Sequence, residues 1–328
     1  MEVKSKPHRS YPLYPEGSVS RVSIANLTSS DFFEEYQKPG HPVILTDLLE
    51  DNCAATWNLE YLCQHLNNHK FLLRRYGKDR YSQDKREWTD IGSGVATEYR
   101  TFAEYAAMVR SRESFEQDIY LAKCAINHTP LYETDTIGLI QQKLQDLGLT
   151  KPISPFNIWV GPAGHNECLH YDPMDGTLIQ LYGTKKIILF PPSQTGNLYP
   201  FPIYTHLFHG MKLRTWFSQL YPENPDFDAF PRFKEALKDK KEIILHPGEA
   251  LYIPTGWWHE VTALGDEMVC SINRFWRVYP TKRAVFTWCR WRSHLGSLCA
   301  VPYLVLSFLT AMFSKNRQEK IQAIRQML

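Results

Sequence analysis

Three side chains able to hold one divalent metal stand at His170, Asp172 and His259. In His170-Tyr171-Asp172 an imidazole and a carboxylate lie two positions apart. On a strand, such residues face the same side, so their donor atoms can meet over one ion. Two ligands do not close a site. His259, 87 residues beyond Asp172 in GEALYIPTGWWHEV, supplies the third. Two histidines and one carboxylate with open positions form the donor set of non-heme Fe(II) oxygen chemistry. The plain alternative is a hydrogen-bonded pair on a strand and a core histidine behind two tryptophans. The surroundings must decide between the two.

Those surroundings read as strands and tight turns. Leu178 to Leu181 is apolar. Gly183 and Lys185-Lys186 follow, then Ile187 to Phe190 and Pro191-Pro192. This is a strand, turn, strand pattern. A turn at Gly183 brings Lys185 back beside the strand that follows Asp172. Alternation lets only one of the two lysines face inward. Before His259, Pro247-Gly248-Glu249 reads as a turn and Leu251 to Ile253 as a short strand.

With these motifs in order, the chain resembles the JmjC branch of the 2-oxoglutarate-dependent oxygenases. It is most similar to small hydroxylases such as those acting on an asparaginyl side chain of hypoxia-inducible factor or on the wybutosine base of tRNA. The likeness rests on HYD at 170–172, QLYGTKKIILFPP at 180–192, NPDFDAFPRF at 224–233, GEALYIPTGWWHEV at 248–261 and SINRFW at 271–276. It spans about 155–280 and weakens upstream. The resemblance implies an all-β core, a cupin-like double-stranded β-helix or jelly roll, with flanking helices and an α+β character overall.

It also implies roles. His170, Asp172 and His259 hold Fe(II). Lys185 pairs with the distal carboxylate of the cosubstrate 2-oxoglutarate, Tyr120 reaches the same carboxylate, and Asn273 lies on the cosubstrate side. Gly176 and Glu167 depart from the family pattern, where asparagine and threonine are usual, so the cosubstrate pocket is built differently here. The implied reaction hydroxylates a side chain of a protein or peptide while 2-oxoglutarate becomes succinate and CO2. Retention of Asp172 favours hydroxylation over halogenation. Two alternatives are hydroxylation of a modified tRNA base and a non-catalytic cupin-like binding protein.

Composition sets limits on these readings. A hydrophobic content of 43% supports a sizeable core, and the net charge of +2 excludes a polyelectrolyte. The charge is uneven. From Thr281 onward there are eight lysines or arginines and one acid, Glu319. Seven cysteines without a CxxC pair suggest free thiols rather than a disulfide scaffold. The first residues lack an apolar signal region, and an intracellular, cytoplasmic protein is expected.

Four regions follow from the pattern. Residues 1–20 form an extended arm. Residues 21–153 form a helix and strand lead-in. Its helices are read at 31–37, opened by an N-cap at Ser29-Ser30, at 59–66 capped by Asn58, at 101–111 and at 135–147. Residues 154–280 form the barrel, with an insert at 193–240 that covers the site mouth or lies along the barrel side. Residues 281–328 are a basic and apolar helical tail. Within it Leu295 to Phe313 is nineteen residues without charge, about 28 Å as a helix and close to bilayer thickness. A homodimer through these helices, a buried core helix and membrane association through 295–313 are the readings open to it.

Overall fold

The structure is a computed structural model that describes residues 19–49, 56–91, 95–318, 320, 321 and 324. Most of the expected arm, 1–18, lies outside the described residues. Ser20 instead opens strand β1, Ser20–Ser23, which pairs in parallel with β2, Val43–Thr46, and Val19 precedes it as a buried residue.

The lead-in helices follow the capping chemistry of the sequence. Asn58 accepts from the Tyr61 N–H at 3.0 Å and opens α2, Leu59–Leu66. Thr101 and Glu104 form a capping box at the start of α3, Phe102–Arg110. The first helix, α1, Ser29–Phe32, is capped one residue earlier than expected. Thr28 and Asp31 form its capping box, and a π-turn carries it through Gln37. Asp31 stands three residues after Thr28, the spacing at which cap and carboxylate satisfy each other's backbone donors. Helix α4, Asp135–Asp146, buries Ile137, Ile140 and Leu144 along one stripe.

Two sheets form the barrel. The larger holds, in order, β1, β2, β11 (Ala250–Ile253), β8 (Asp175–Tyr182), β13 (Met268–Trp276), β6 (Asn157–Pro162), β5 (Ile119–Ala125), β3 (Lys70–Arg75) and β4 (Ala96–Thr101), and the smaller β10 (Lys241–Leu245), β9 (Thr184–Phe190), β12 (Trp258–Leu264) and β7 (Asn166–Tyr171). Lead-in strands β3, Lys70–Arg75, β4, Ala96–Thr101, and β5, Ile119–Ala125, extend the larger sheet beyond β6, Asn157–Pro162. Helices α1 to α4 cover its outer face through Phe32, Leu62, Phe102, Ile140 and their neighbours. Between the sheets lie Ile44, Ile187, Leu189, Leu251 and Trp257. The central strands are therefore covered on both faces, which explains their continuous apolar runs.

The hairpin foreseen at Gly183 joins β8, Asp175–Tyr182, to β9, Thr184–Phe190. Gly183 has φ +69°, and a Cβ there would meet Val269 at 2.9 Å, so the turn needs glycine on both counts. Strands β10, Lys241–Leu245, β11, Ala250–Ile253, and β13, Met268–Trp276, complete the sheets.

The insert does both things the sequence left open. Leu198, Leu220, Phe230 and Phe233 cover the outer face of the small sheet. Residues 216–218 also bond to the free edge of β7, with Tyr171 N–H to Trp216 C=O at 3.1 Å and Ser218 N–H to Leu169 C=O at 2.9 Å. The insert carries helix α5, Thr205–His209. After the barrel come α6, Thr281–Phe286, and α7, Trp288–Met312, which runs through Pro302. The buried-core reading of this last helix does not hold. Only 17% of its apolar window is buried, because its large side chains point away from the body.

Candidate active site

Strands β7, Asn166–Tyr171, and β12, Trp258–Leu264, pair antiparallel, with His170 and His259 directly opposite each other. Their ring centroids are 4.2 Å apart. Asp172 is the first residue beyond β7, and its carboxylate reaches 3.6 Å from His259 Nε2. One donor atom from each of the three lies within 4.8 Å of the others. Sequence spacing placed the first two side by side. Strand register places the third against them.

The second nitrogen of each imidazole is already used. His170 Nδ1 lies 2.7 Å from the Cys168 carbonyl, and His259 Nδ1 lies 3.1 Å from the Trp257 carbonyl. A carbonyl only accepts, so each Nδ1 carries the proton and each Nε2 lone pair is free. Burial and the neighbouring His170 push the His259 imidazole down to about 4, which keeps it in the neutral, ligating form at pH 7. The donor chemistry therefore fits a divalent cation such as Fe(II).

The surrounding residues fix this geometry. The Trp257 indole N–H donates to the Gly40 carbonyl at 2.8 Å, and that of Trp258 to Thr195 at 3.0 Å. Gly256 N–H donates to the Asp172 carbonyl at 2.9 Å. Asp175 is fully buried; it accepts from Thr255 N–H and Tyr252 O–H, each at 2.9 Å, and from the Arg283 guanidinium. The tail thus clamps the turn beside the ligands. Glu260 accepts from Leu169 N–H at 3.2 Å, and the buried Lys85 nearby offsets the effect of burial, which raises the Glu260 carboxyl. Lys85 itself donates to the Leu220 carbonyl at 2.8 Å.

A cavity of about 830 Å³, its mouth included, opens beside the triad. Lys185 enters it. It is 3% exposed, and its ammonium donates to Ser271 Oγ at 2.6 Å. Burial pushes it down to about 8. Lys186 points outward to an ion pair with Glu223, so alternation selects Lys185 as the inward lysine. Tyr120 is buried on the cavity wall and stacks on His165 at 3.8 Å. Its ring fills the space over Gly161, where a Cβ would fall 1.7 Å from it. Asn273 is not part of the cavity lining; its Oδ1 accepts the Trp159 indole N–H at 2.9 Å, and Trp159 lines the cavity.

The two departures from the family pattern lie in different places. Gly176, on β8, lies beside the Phe275 ring, which a Cβ added there would touch at an ordinary 3.5 Å. Glu167 lines the cavity although its parity along β7 opposes that of His170. The reason is a bulge. From His170 to Glu167 β7 advances three residues while β12 advances two, from His259 to Val261. The extra residue turns Glu167 onto the cavity side.

His165, which carried no assigned role in the sequence, joins it there. His165 is 3% exposed, and its Nδ1 lies 2.8 Å from Asp118. Burial alone would lower this imidazole, but Asp118 and Glu167 lift it to about 9. Glu167 is in turn held at about 2 against the effect of burial, by His165 and His170. Arg214, Trp216 and Phe217 of the insert close the wall, with Phe217 stacked on His170 at 4.7 Å. No motif marked these residues. A buried aromatic run in a long insert was the one available hint.

Fold and site together define a cupin-like protein with a facial triad. The cupin-like domain family matches residues 29–282, and the chain belongs to that family. Some of its relatives are named for the Jumonji C domain. It is 34% identical over 161 residues to lysine-specific demethylase JMJ31 of Arabidopsis thaliana, covering 48% of this chain and 28% of that protein. It is 29% identical over 263 residues to Jumonji C domain-containing protein 5 of Drosophila melanogaster, covering 74% and 57%. It is 24% identical over 289 residues to the bifunctional arginine demethylase and lysyl-hydroxylase psr-1 of Caenorhabditis briggsae, covering 80% and 64%. The chain thus spans less than two thirds of the length of each of these relatives.

Proposed function

We propose that this chain is an Fe(II)- and 2-oxoglutarate-dependent dioxygenase that hydroxylates a side chain of a protein or peptide. The observation that carries the reading is the convergence of His170, Asp172 and His259 on one point, beside the buried ammonium of Lys185 in a single cavity. When bound, the metal with 2-oxoglutarate supplies oxygen activation and decarboxylation to succinate.

The residues do the rest. His170 and His259 offer Nε2 lone pairs fixed by their backbone carbonyl bonds, and Asp172 offers a carboxylate. Lys185 gives the distal carboxylate of 2-oxoglutarate a charge-assisted donor, with Ser271 holding the ammonium in place. Tyr120 walls that end of the cavity. Trp159 and Phe275, with Trp216 and Phe217 of the insert, are apolar surfaces that keep bulk water from the reacting centre. The protein-substrate reading is supported by the relatives, whose names record lysine, arginine and lysyl side chains.

The test is succinate release by purified, Fe(II)-loaded protein. It is joined by mass spectrometry for a product 16 Da heavier in cell extract treated with active protein but not with the Asp172→Ala variant. Absence of 2-oxoglutarate binding and turnover returns the chain to the non-catalytic binding-protein reading. A heavier nucleoside in tRNA, with no heavier peptide, selects the tRNA-base reading.

A further inference from the structure

Helix α7 wears its side chains inside out. The face against the body is made of small residues, Cys289, Ser293, Gly296 and Ala300. They allow close approach: a Cβ on Gly296 would lie 2.6 Å from Thr215, and one on Gly210 would lie 2.5 Å from Tyr303. The large apolar residues point away. Leu298, Val305, Leu306, Leu309 and Phe313 are 49–90% exposed. At 3.6 residues per turn, the exposed large apolar positions from Trp288 to Phe313 cover an arc of roughly 160°. A helix docking on one partner helix needs a narrower seam. Helix α5, which lies beside α7, widens the surface with Tyr204, 62% exposed, and Phe208, 68% exposed.

The tail that carries this surface is strongly basic, with eight lysines or arginines and Glu319 as its one acid from Thr281 onward. From Met268 to Gln318 there is no aspartate or glutamate. Lys282 lies exposed before the helix, and Lys315 and Arg317 lie exposed after it. Half-exposed Trp288 and Trp291 stand at its first turn, beside Phe286 at 82% exposure. Indole rings at one end and cations at both ends are the arrangement that suits a boundary between acyl chains and headgroups.

We propose that the α5–α7 surface docks on an anionic lipid bilayer, lying in the interface rather than crossing it. The docked face of α7 continues past Tyr303, whose ring meets Gly210, to the fully buried Ala311 beside the helix end. The helix is thus held along the body over its length, with no free stretch able to span a hydrocarbon core of about 30 Å. A helix held flat against the body buries its outer side chains about 5–10 Å deep. The same helix touches the site. Ser293 Oγ donates to the Tyr171 hydroxyl at 3.4 Å, and Gly296 abuts Thr215 between cavity residues Arg214 and Trp216. The body-facing side of α7 thus abuts residues that neighbour the cavity wall.

Full-length protein is sedimented with vesicles of phosphatidylcholine plus phosphatidylserine, and with phosphatidylcholine alone. Expected results are binding to the anionic vesicles, weaker binding at high salt, a blue shift of tryptophan emission, and release by alkaline carbonate. Leu298→Asp with Leu306→Asp should lower partition at least about tenfold with circular dichroism unchanged. Should that pair disturb folding, Phe208→Asp on α5 carries the same test. Failure of the wild-type chain to bind anionic vesicles overturns the proposal, as does binding indifferent to these substitutions. Resistance to carbonate overturns the interfacial placement. A dimer that the same substitutions dissociate, with no vesicle binding, assigns the surface to a second copy of this chain instead.

Discussion

The two ends of the cavity are built on opposite plans. At the metal end, every donor is paired and of fixed polarity: each Nδ1 bonds to a carbonyl two residues before it, and both Nε2 atoms and one carboxylate face one point. At the cosubstrate end, charges of both signs stand close together. Lys185 and His165 are cationic, and Glu167 and Asp118 oppose them. The metal end is a plain strand pair; the cosubstrate end depends on a bulge. Direct register tolerates little variation, because a slip of one residue turns the imidazole of the slipped strand away from its partner. A bulge can bring a side chain of either parity to the wall, and here it brings an acid.

That contrast can be broken at either end. The largest effect is expected from Asp172→Ala, which leaves two ligands. Fe(II) content measured after metal loading should fall at least about a hundredfold while circular dichroism is retained. Retained stoichiometric iron would mean the triad is not the ligand set.

Behind the metal end, Lys85→Met leaves the Glu260 carboxylate buried without its neighbouring cation. Unfolding in urea should show a loss of about 1–3 kcal/mol, from the lost bond to the Leu220 carbonyl and the lost cation near Glu260. A loss under about 1 kcal/mol would mean that Glu260 is neutral when buried.

At the cosubstrate end, Lys185→Ala should raise the 2-oxoglutarate KM by about ten- to a hundredfold with iron retained. Unchanged KM would remove Lys185 from the cosubstrate site. The pH dependence follows from the same ammonium. Its pKa in the free protein is lowered to about 8, so the cation is present below that pH and lost above it. The KM for 2-oxoglutarate should therefore rise as pH climbs through 8, by up to about tenfold per unit. Lys185→Arg should flatten the rise, since a guanidinium stays charged.

The smallest effect sharpens the comparison. Glu167→Thr removes the acid from the wall and should lower the 2-oxoglutarate KM severalfold, about threefold to fivefold, through lost repulsion. An increase instead would show that Glu167 supports the cosubstrate through His165.

Much of the fold was legible along the chain because local chemistry decides it. Asn58 caps its helix, Gly183 makes the turn its neighbours require, and the apolar runs of β8 and β9 are buried on both faces. The same locality explains the small miss at α1, where Thr28 outcompeted the adjacent serines because Asp31 completes its box. The grouping of the candidate metal ligands was readable in part for the same reason, since residues two apart along a strand share a face. The cosubstrate end was less readable. Glu167 carried the wrong parity, His165 had no motif, and Asn273, expected near the cosubstrate, instead holds the Trp159 indole.

By itself, then, the sequence determined the element types, the pairing of His170 with Asp172 and the family to which the chain belongs. Those follow from side-chain period, turn chemistry and ordered motifs. Only the tertiary structure decided that His259 meets His170 rung for rung, that a bulge turns Glu167 onto the cavity wall, and that α7 presents its bulk outward. Each of these depends on which strand or helix lies alongside, and that is set by burial summed over the whole chain.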